Sequence, residues 1–88
     1  MAKRSSKEDV ATVHVRLKEG VLDPQGLTIK RALEDMGYEG IGEVKSGKFF
    51  EIKVSSKNRK ESEERIDEIC RKLLTNPVIE RYTFEFDK

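Results

Sequence analysis

Cysteine, histidine and tryptophan are nearly missing from this chain: one Cys, one His and no Trp among 88 residues. A single thiol, Cys70, cannot close an internal disulfide, and no Cys/His spacing of the zinc type exists. A lone His14 excludes a His-rich metal site. No apolar run approaches the roughly 20 residues that a membrane helix needs. The first residues, Met1 to Asp9, lack the apolar stretch of a secretory signal. Charge of one sign is missing as well. Eighteen Lys and Arg stand against seventeen Asp and Glu, a formal charge of +1. Proteins that live by neutralising nucleic-acid phosphates carry a clearly basic surface, so nucleic acid is not the expected partner. What remains is a cytoplasmic domain without a membrane segment, 35% hydrophobic and 40% charged, with a mean hydropathy of -0.70. At this length a chain buries only about 60–70% of its unfolded surface, too little to enclose a large active site alone.

Residues 1–9 are polar and without period, which predicts a flexible N-terminal extension before a single domain at 10–88. Val13, Val15 and Leu17 alternate with Thr12, His14 and Arg16. Period two with β-branched residues predicts a half-buried strand. Asp23-Pro24 opens a helix, Asp as cap and Pro at the first position. Leu27, Ile29, Ala32, Leu33 and Met36 continue it at helical spacing, and Gly37 stops it. A weak strand is expected at Ile41–Val44, turning at Ser46-Gly47 into a stronger one with Phe50, Ile52 and Val54 inward. Ile66, Ile69, Cys70, Leu73 and Leu74 stripe a second helix from about residue 60 to 74, ended by Asn76-Pro77. Tyr82, Phe84 and Phe86 then alternate in a last strand. The order β-α-β-β-α-β predicts an α+β, ferredoxin-like fold: a four-stranded antiparallel sheet with two helices on one face. Its other face would show Thr12, His14, Arg16, Phe49, Glu51, Lys53, Arg81, Thr83 and Glu85, with nothing left in the chain to cover it.

No catalytic, cofactor-binding or metal-binding set emerges from these residues. Cys70 sits on the apolar stripe of a helix, where a thiol is buried and inert rather than an exposed, activated nucleophile. His14 falls on the open sheet face without defined partners. Asp23-Pro24-Gln25-Gly26 begins a helix, but lacks the glycine spacing of phosphate-binding loops, so Asp23 is expected to cap the helix amides itself. Phe49 is a single aromatic beside Glu51, not the paired aromatics of an RNA-binding sheet, and fits an oligomer contact better.

The run Lys18-Glu19-Gly20-Val21-Leu22-Asp23-Pro24-Gln25-Gly26 resembles the early signature of the PurS family, the small subunit of phosphoribosylformylglycinamidine synthase. Ala32-Leu33 with Met36-Gly37-Tyr38, Gly47-Lys48, and Lys72 to Glu80 with Tyr82 resemble its later blocks, so the similarity covers about Val13 to Phe84. Met36 stands for a usual Leu and Thr75 where Ala is common. The resemblance implies a non-catalytic subunit of a glutamine-dependent, ATP-consuming ligase of purine biosynthesis. It would bridge a PurL-type synthetase and a PurQ-type glutaminase, support ammonia transfer between them, and self-associate as a homodimer or higher oligomer. It implies partner contacts through signature residues the core does not need: Lys18, Asp23, Gln25, Gly26, Tyr38, Lys48, Asn76 and Glu80. A regulatory small-molecule-binding domain of the ACT type, which shares the element order, is the alternative.

Overall fold

Alternating β-branched residues make the first strand the natural centre of the sheet. A computed structural model describes residues 7–87. In it β1 (Lys7–Leu17) is followed by α1 (Pro24–Asp35), β2 (Gly47–Ser56), α2 (Arg59–Ile69), a π-helical turn (Cys70–Leu74) and β3 (Glu80–Phe86). The sheet has three strands in the order β2-β1-β3, both pairings antiparallel. The α+β class holds, with two α-helices and an antiparallel sheet, but the expected fourth strand at Ile41–Val44 is absent. That segment instead follows α1 back to the sheet: Asp23 takes hold of Ser46, and the Val44 carbonyl lies against Gly26. Bound there, it cannot fold back on β2, and the predicted turn at Ser46-Gly47 does not form a hairpin.

The inward face follows the alternation. Ala11, Val13, Val15, Val54, Ile66 and Cys70 are buried, and Phe50, Ile52, Leu74, Tyr82, Phe84 and Phe86 pack partly buried around them. Six buried apolar residues, each contributing about 1.5–3 kcal/mol at most, make a thin core. Asn58 caps α2 by accepting from the Glu61 amide at 2.8 Å, while Glu61 reaches back to the Lys57 amide at 3.0 Å. That exchange is a capping box shifted by one residue. Asp67–Arg71 and Glu68–Lys72 form ion pairs four residues apart along the helical surface, and Arg65 donates to the Ser55 carbonyl.

Two further expectations are corrected. Residues 7–9, read as part of the loose extension, belong to β1 and pair with residues 54–56 of β2; residues 1–6 lie outside the described residues. Asp9 is only 7% exposed, and its carboxylate accepts from Ser62 Oγ at 2.6 Å and pairs with Arg59 at 3.2 Å. Nor do both helices cover one face. α2 packs on β1 and β2, whereas α1 has no comparable packing on the sheet. Leu27, Ile29 and Met36 of its apolar stripe stay exposed. Residues 18–46 form an arm that leaves the sheet end, and the molecule measures 58 × 31 × 15 Å. Its radius of gyration is 17.8 Å, where a compact domain of this length would have about 12 Å.

Candidate functional site at the root of the arm

The arm joins the sheet where β1 ends and β2 begins, and one carboxylate organises the joint. Asp23 Oδ1 accepts from the Gly26 amide at 2.9 Å and from Ser46 Oγ at 2.8 Å, and Oδ2 accepts from the Ser46 amide at 2.6 Å. These bonds, that from the Ser46 amide foremost, hold the carboxyl below its ordinary range. Gly26 is buried, and a Cβ there would stand 2.2 Å from the Val44 carbonyl oxygen. Only glycine lets the returning chain approach α1 this closely.

A second cluster fastens the start of β3 to the end of β1. Lys18 donates its amide to the Ile79 carbonyl at 2.8 Å and its Nζ to the Pro77 carbonyl at 2.6 Å. Glu80 Oε1 accepts from the Asn76 amide at 2.7 Å, Asn76 Oδ1 accepts from the Val78 amide at 3.0 Å, and Lys48 lies 3.8 Å from Glu80. Lys48 Nζ also stands 5.8 Å over the Phe50 ring.

Six of the eight candidate residues therefore fall into two neighbouring clusters at the root of the arm: Asp23 and Gly26 in one, Lys18, Lys48, Asn76 and Glu80 in the other. Gln25 is exposed in the first turn of α1, and Tyr38, 55% exposed, lies past the far end of that helix. Sequence reasoning missed Ser46, whose amide and hydroxyl complete the Asp23 clasp, because Ser46-Gly47 read as a hairpin turn. It also missed the Asp9–Ser62–Ser56 chain, in which the two serine hydroxyls stand 2.5 Å apart.

Between the arm and the open end of the sheet runs a groove of about 720 Å³. Leu22, Leu27 and Phe49 give it apolar surface, while Arg16, Lys30 and Arg81 give it positive charge. Leu22 and Phe49 are 72% and 66% exposed. Elsewhere, Cys70 is buried under α2, and burial pushes its thiol up, away from the reactive thiolate. Tyr82 donates to Asp67 at 2.5 Å, which raises the phenol to about 12 and lowers the carboxyl. Among the described residues no three His, Cys, Asp or Glu side chains gather as a metal site, and no helix is long and apolar enough to cross a membrane.

Clasped loops, an extended arm and an exposed apolar groove define a class: a small α+β domain that presents an elongated contact surface. The family model for PurS, phosphoribosylformylglycinamidine (FGAM) synthase, matches residues 10–88, and the chain belongs to that family. It is 42% identical over 78 residues to the PurS subunit of phosphoribosylformylglycinamidine synthase from Methanocaldococcus jannaschii, covering 89% of this chain and 94% of that one. The Bacillus subtilis PurS subunit is 41% identical over 76 residues, 86% and 89% of the two chains. A chain in the structure of PurLQS from Thermotoga maritima superposes with a TM-score of 0.85 at 29% identity, covering 92% of this chain and 99% of that one.

Proposed function

We propose that this chain is the non-catalytic small subunit of a cytoplasmic FGAM synthase, joining a PurL-type synthetase to a PurQ-type glutaminase. In that reaction glutamine releases ammonia at one subunit. The ammonia, ATP and formylglycinamide ribonucleotide yield formylglycinamidine ribonucleotide, ADP and phosphate at the other. The observation that carries the reading is the match along 99% of a chain of the Thermotoga maritima PurLQS structure. It concerns the whole folded part, arm included, and not a shared sheet alone. The physical task of such a subunit is to close an interface, since ammonia that meets bulk water is protonated and lost as a nucleophile. An extended arm with an apolar stripe and a clasped root supplies contact surface at a fixed angle. Partner contacts by Lys18, Gln25, Tyr38 and Lys48, all exposed, belong to this proposal.

The ACT-type alternative would use the Asp23-Pro24-Gln25-Gly26 turn to hold a small ligand. Asp23 already has three donors on its carboxylate, which speaks for a structural clasp at that turn. The test is to combine the chain with PurL-type and PurQ-type subunits and assay glutamine-dependent amidation with and without it. Omission is expected to lower turnover by about tenfold or more and to prevent co-elution of the other two. Unchanged turnover with no co-elution of the three sinks the proposal.

A further inference from the structure

Arg16 of β1 and Arg81 of β3 are directly opposed across the antiparallel pair, on the uncovered face of the sheet. Residues so opposed have Cβ atoms about 4.5–5.5 Å apart, and like charges in that position are destabilising. On its other side Arg16 faces only Gly47, which has no side chain to pair with it. Both arginines are exposed and line the groove under the arm. The other cations of that groove are engaged: Lys30 with Glu34, Lys45 with Glu19, Lys48 with Glu80 and Lys18 with the Pro77 carbonyl. Asp23 is taken up by its own clasp. Among the described residues no ion pair or side-chain hydrogen bond holds Arg16 or Arg81, and Glu43 is the one acid of the groove with no partner of its own. The next row of the face, about 6.8 Å along the strands, holds Phe49 and His14. Their ring centroids are 6.2 Å apart, with the planes tilted by 42°. Across the groove, Leu22 and Leu27 of the arm supply an apolar wall. Its volume of about 720 Å³ lies within the range of small-ligand sites.

We infer that this groove binds a nucleoside monophosphate, with the phosphate between Arg16 and Arg81 and the base laid on Phe49 beside His14. A phosphate monoester carries close to two negative charges and three strong acceptor oxygens, enough for two guanidinium forks. A single carboxylate is satisfied by one fork. Bound there, the phosphate turns a repulsive pair of cations into two charge-assisted contacts. Bases stack on an aromatic ring through their flat faces, whatever the base. The offset between the arginine row and the Phe49 row is one that a nucleoside monophosphate spans between phosphate and base. A longer nucleic acid fits less well, because Glu51 and Glu85 occupy the row beyond His14 and repel a second phosphate. Lys53 stands further along β2, outside the groove. A ligand that touches sheet and arm together also fixes the angle of α1, which has no comparable packing of its own on the sheet. The site needs neither partner subunit, so its failure leaves the amidation result untouched.

The experiment is titration calorimetry on the purified chain at about 0.15 M salt, with adenosine monophosphate, adenosine, inorganic phosphate and an oligouridylate as probes. The monophosphate is expected to bind with a dissociation constant below about 1 mM, at least about tenfold tighter than adenosine or inorganic phosphate. Arg81→Gln should weaken the monophosphate about tenfold. Phe49→Ala should weaken it about fivefold or more, without changing inorganic phosphate. Lys53→Gln, on the same face but outside the groove, should bind as the unmodified chain does. Without ligand, Arg81→Gln is expected to melt no lower than the unmodified chain, because one of two opposed like charges is gone. The monophosphate should raise the midpoint of the unmodified chain and leave that of Arg81→Gln nearly in place. Absent binding at about 1 mM, inorganic phosphate as tight as the nucleotide or a tighter oligouridylate would each overturn the assignment. So would Arg81→Gln or Phe49→Ala without effect, an equal loss in Lys53→Gln, or a lower midpoint for ligand-free Arg81→Gln.

Discussion

Asp23 ties together segments that are 23 residues apart in sequence, and it does so with both carboxylate oxygens. Beside it, Gly26 decides how near the chain at Val44 can come. Replacing Gly26 by Ala places a methyl 2.2 Å from a backbone oxygen, so the helix or the returning segment must shift. We expect Gly26→Ala to cost about 1–3 kcal/mol, read as a lower thermal midpoint, with a matching loss of glutamine-dependent turnover in the complex. A stable variant with full turnover would show that the close approach is not required. Tyr82 and Asp67 give a second residue-scale expectation. The phenol is raised above its unfolded value of 10.0 to about 12, so its contribution is present below pH 10 and vanishes as pH rises through about 12. The carboxyl is lowered from 3.8, so its contribution is present above that pH and vanishes as pH falls through the lowered value. Tyr82→Phe should therefore depress the melting midpoint most between about pH 5 and pH 9, with the gap narrowing at both extremes. In Asp67→Asn, ultraviolet titration should show the Tyr82 phenol ionising nearer its ordinary range. A gap independent of pH would contradict the coupling.

At the scale of elements, β1 begins earlier than its apolar alternation indicates. Glu8 and Asp9 carry charges that a sequence pattern assigns to a solvated tail. Asp9 is buried because Ser62 and Arg59 come to it from α2, across 53 and 50 residues. Deleting residues 1–9 removes that carboxylate and leaves the Ser56–Ser62 pair without its acceptor. The expected cost is about 1–3 kcal/mol, a drop in the melting midpoint of at least about 5 °C for a domain of this size. A truncated chain that melts with the full one would return these residues to the tail. The end of α2 is an element-scale finding too: helical structure runs to Leu74, as the sequence indicated, but Cys70–Leu74 widen into a π turn before Thr75 becomes extended, and Leu73 of the predicted apolar stripe is left 79% exposed. Its amide closes the turn on the Cys70 carbonyl at 3.0 Å.

The whole molecule is elongated because its first helix packs outside the core. An isolated helix of about 12 residues is marginal in water, and α1 has 12 with its apolar side exposed. Such an arm gains stability when a partner covers it, so its conformation belongs energetically to the assembly. This gives the amidation assay a second arm. If the subunit acts by joining glutaminase to synthetase, its omission should abolish most glutamine-driven turnover yet leave turnover with added ammonium salt within about twofold. Equal losses with both donors would place its effect on the synthetase chemistry instead of on ammonia delivery.

Sequence alone determined where the two helices and the three strictly alternating strands lie and which face of the sheet turns inward. These depend on local periodicity, capping and composition, which are written residue by residue. Asp23 as a cap and Cys70 as a core thiol were legible for that reason. The tertiary structure decided the rest. Ile41–Val44 has the residues of a weak strand, but Asp23 and Gly26 hold its end against α1, so the fourth strand does not form. Ser46 and Asp9 have polar side chains whose importance depends on partners more than twenty residues distant. Likewise the charges that sum to +1 take distinct places in the fold: Asp9 is buried against Ser62 and Arg59, whereas Arg16, Glu51, Lys53, Arg81 and Glu85 stay exposed on the open face. A composition adds charges together, whereas a sheet assigns each one a place.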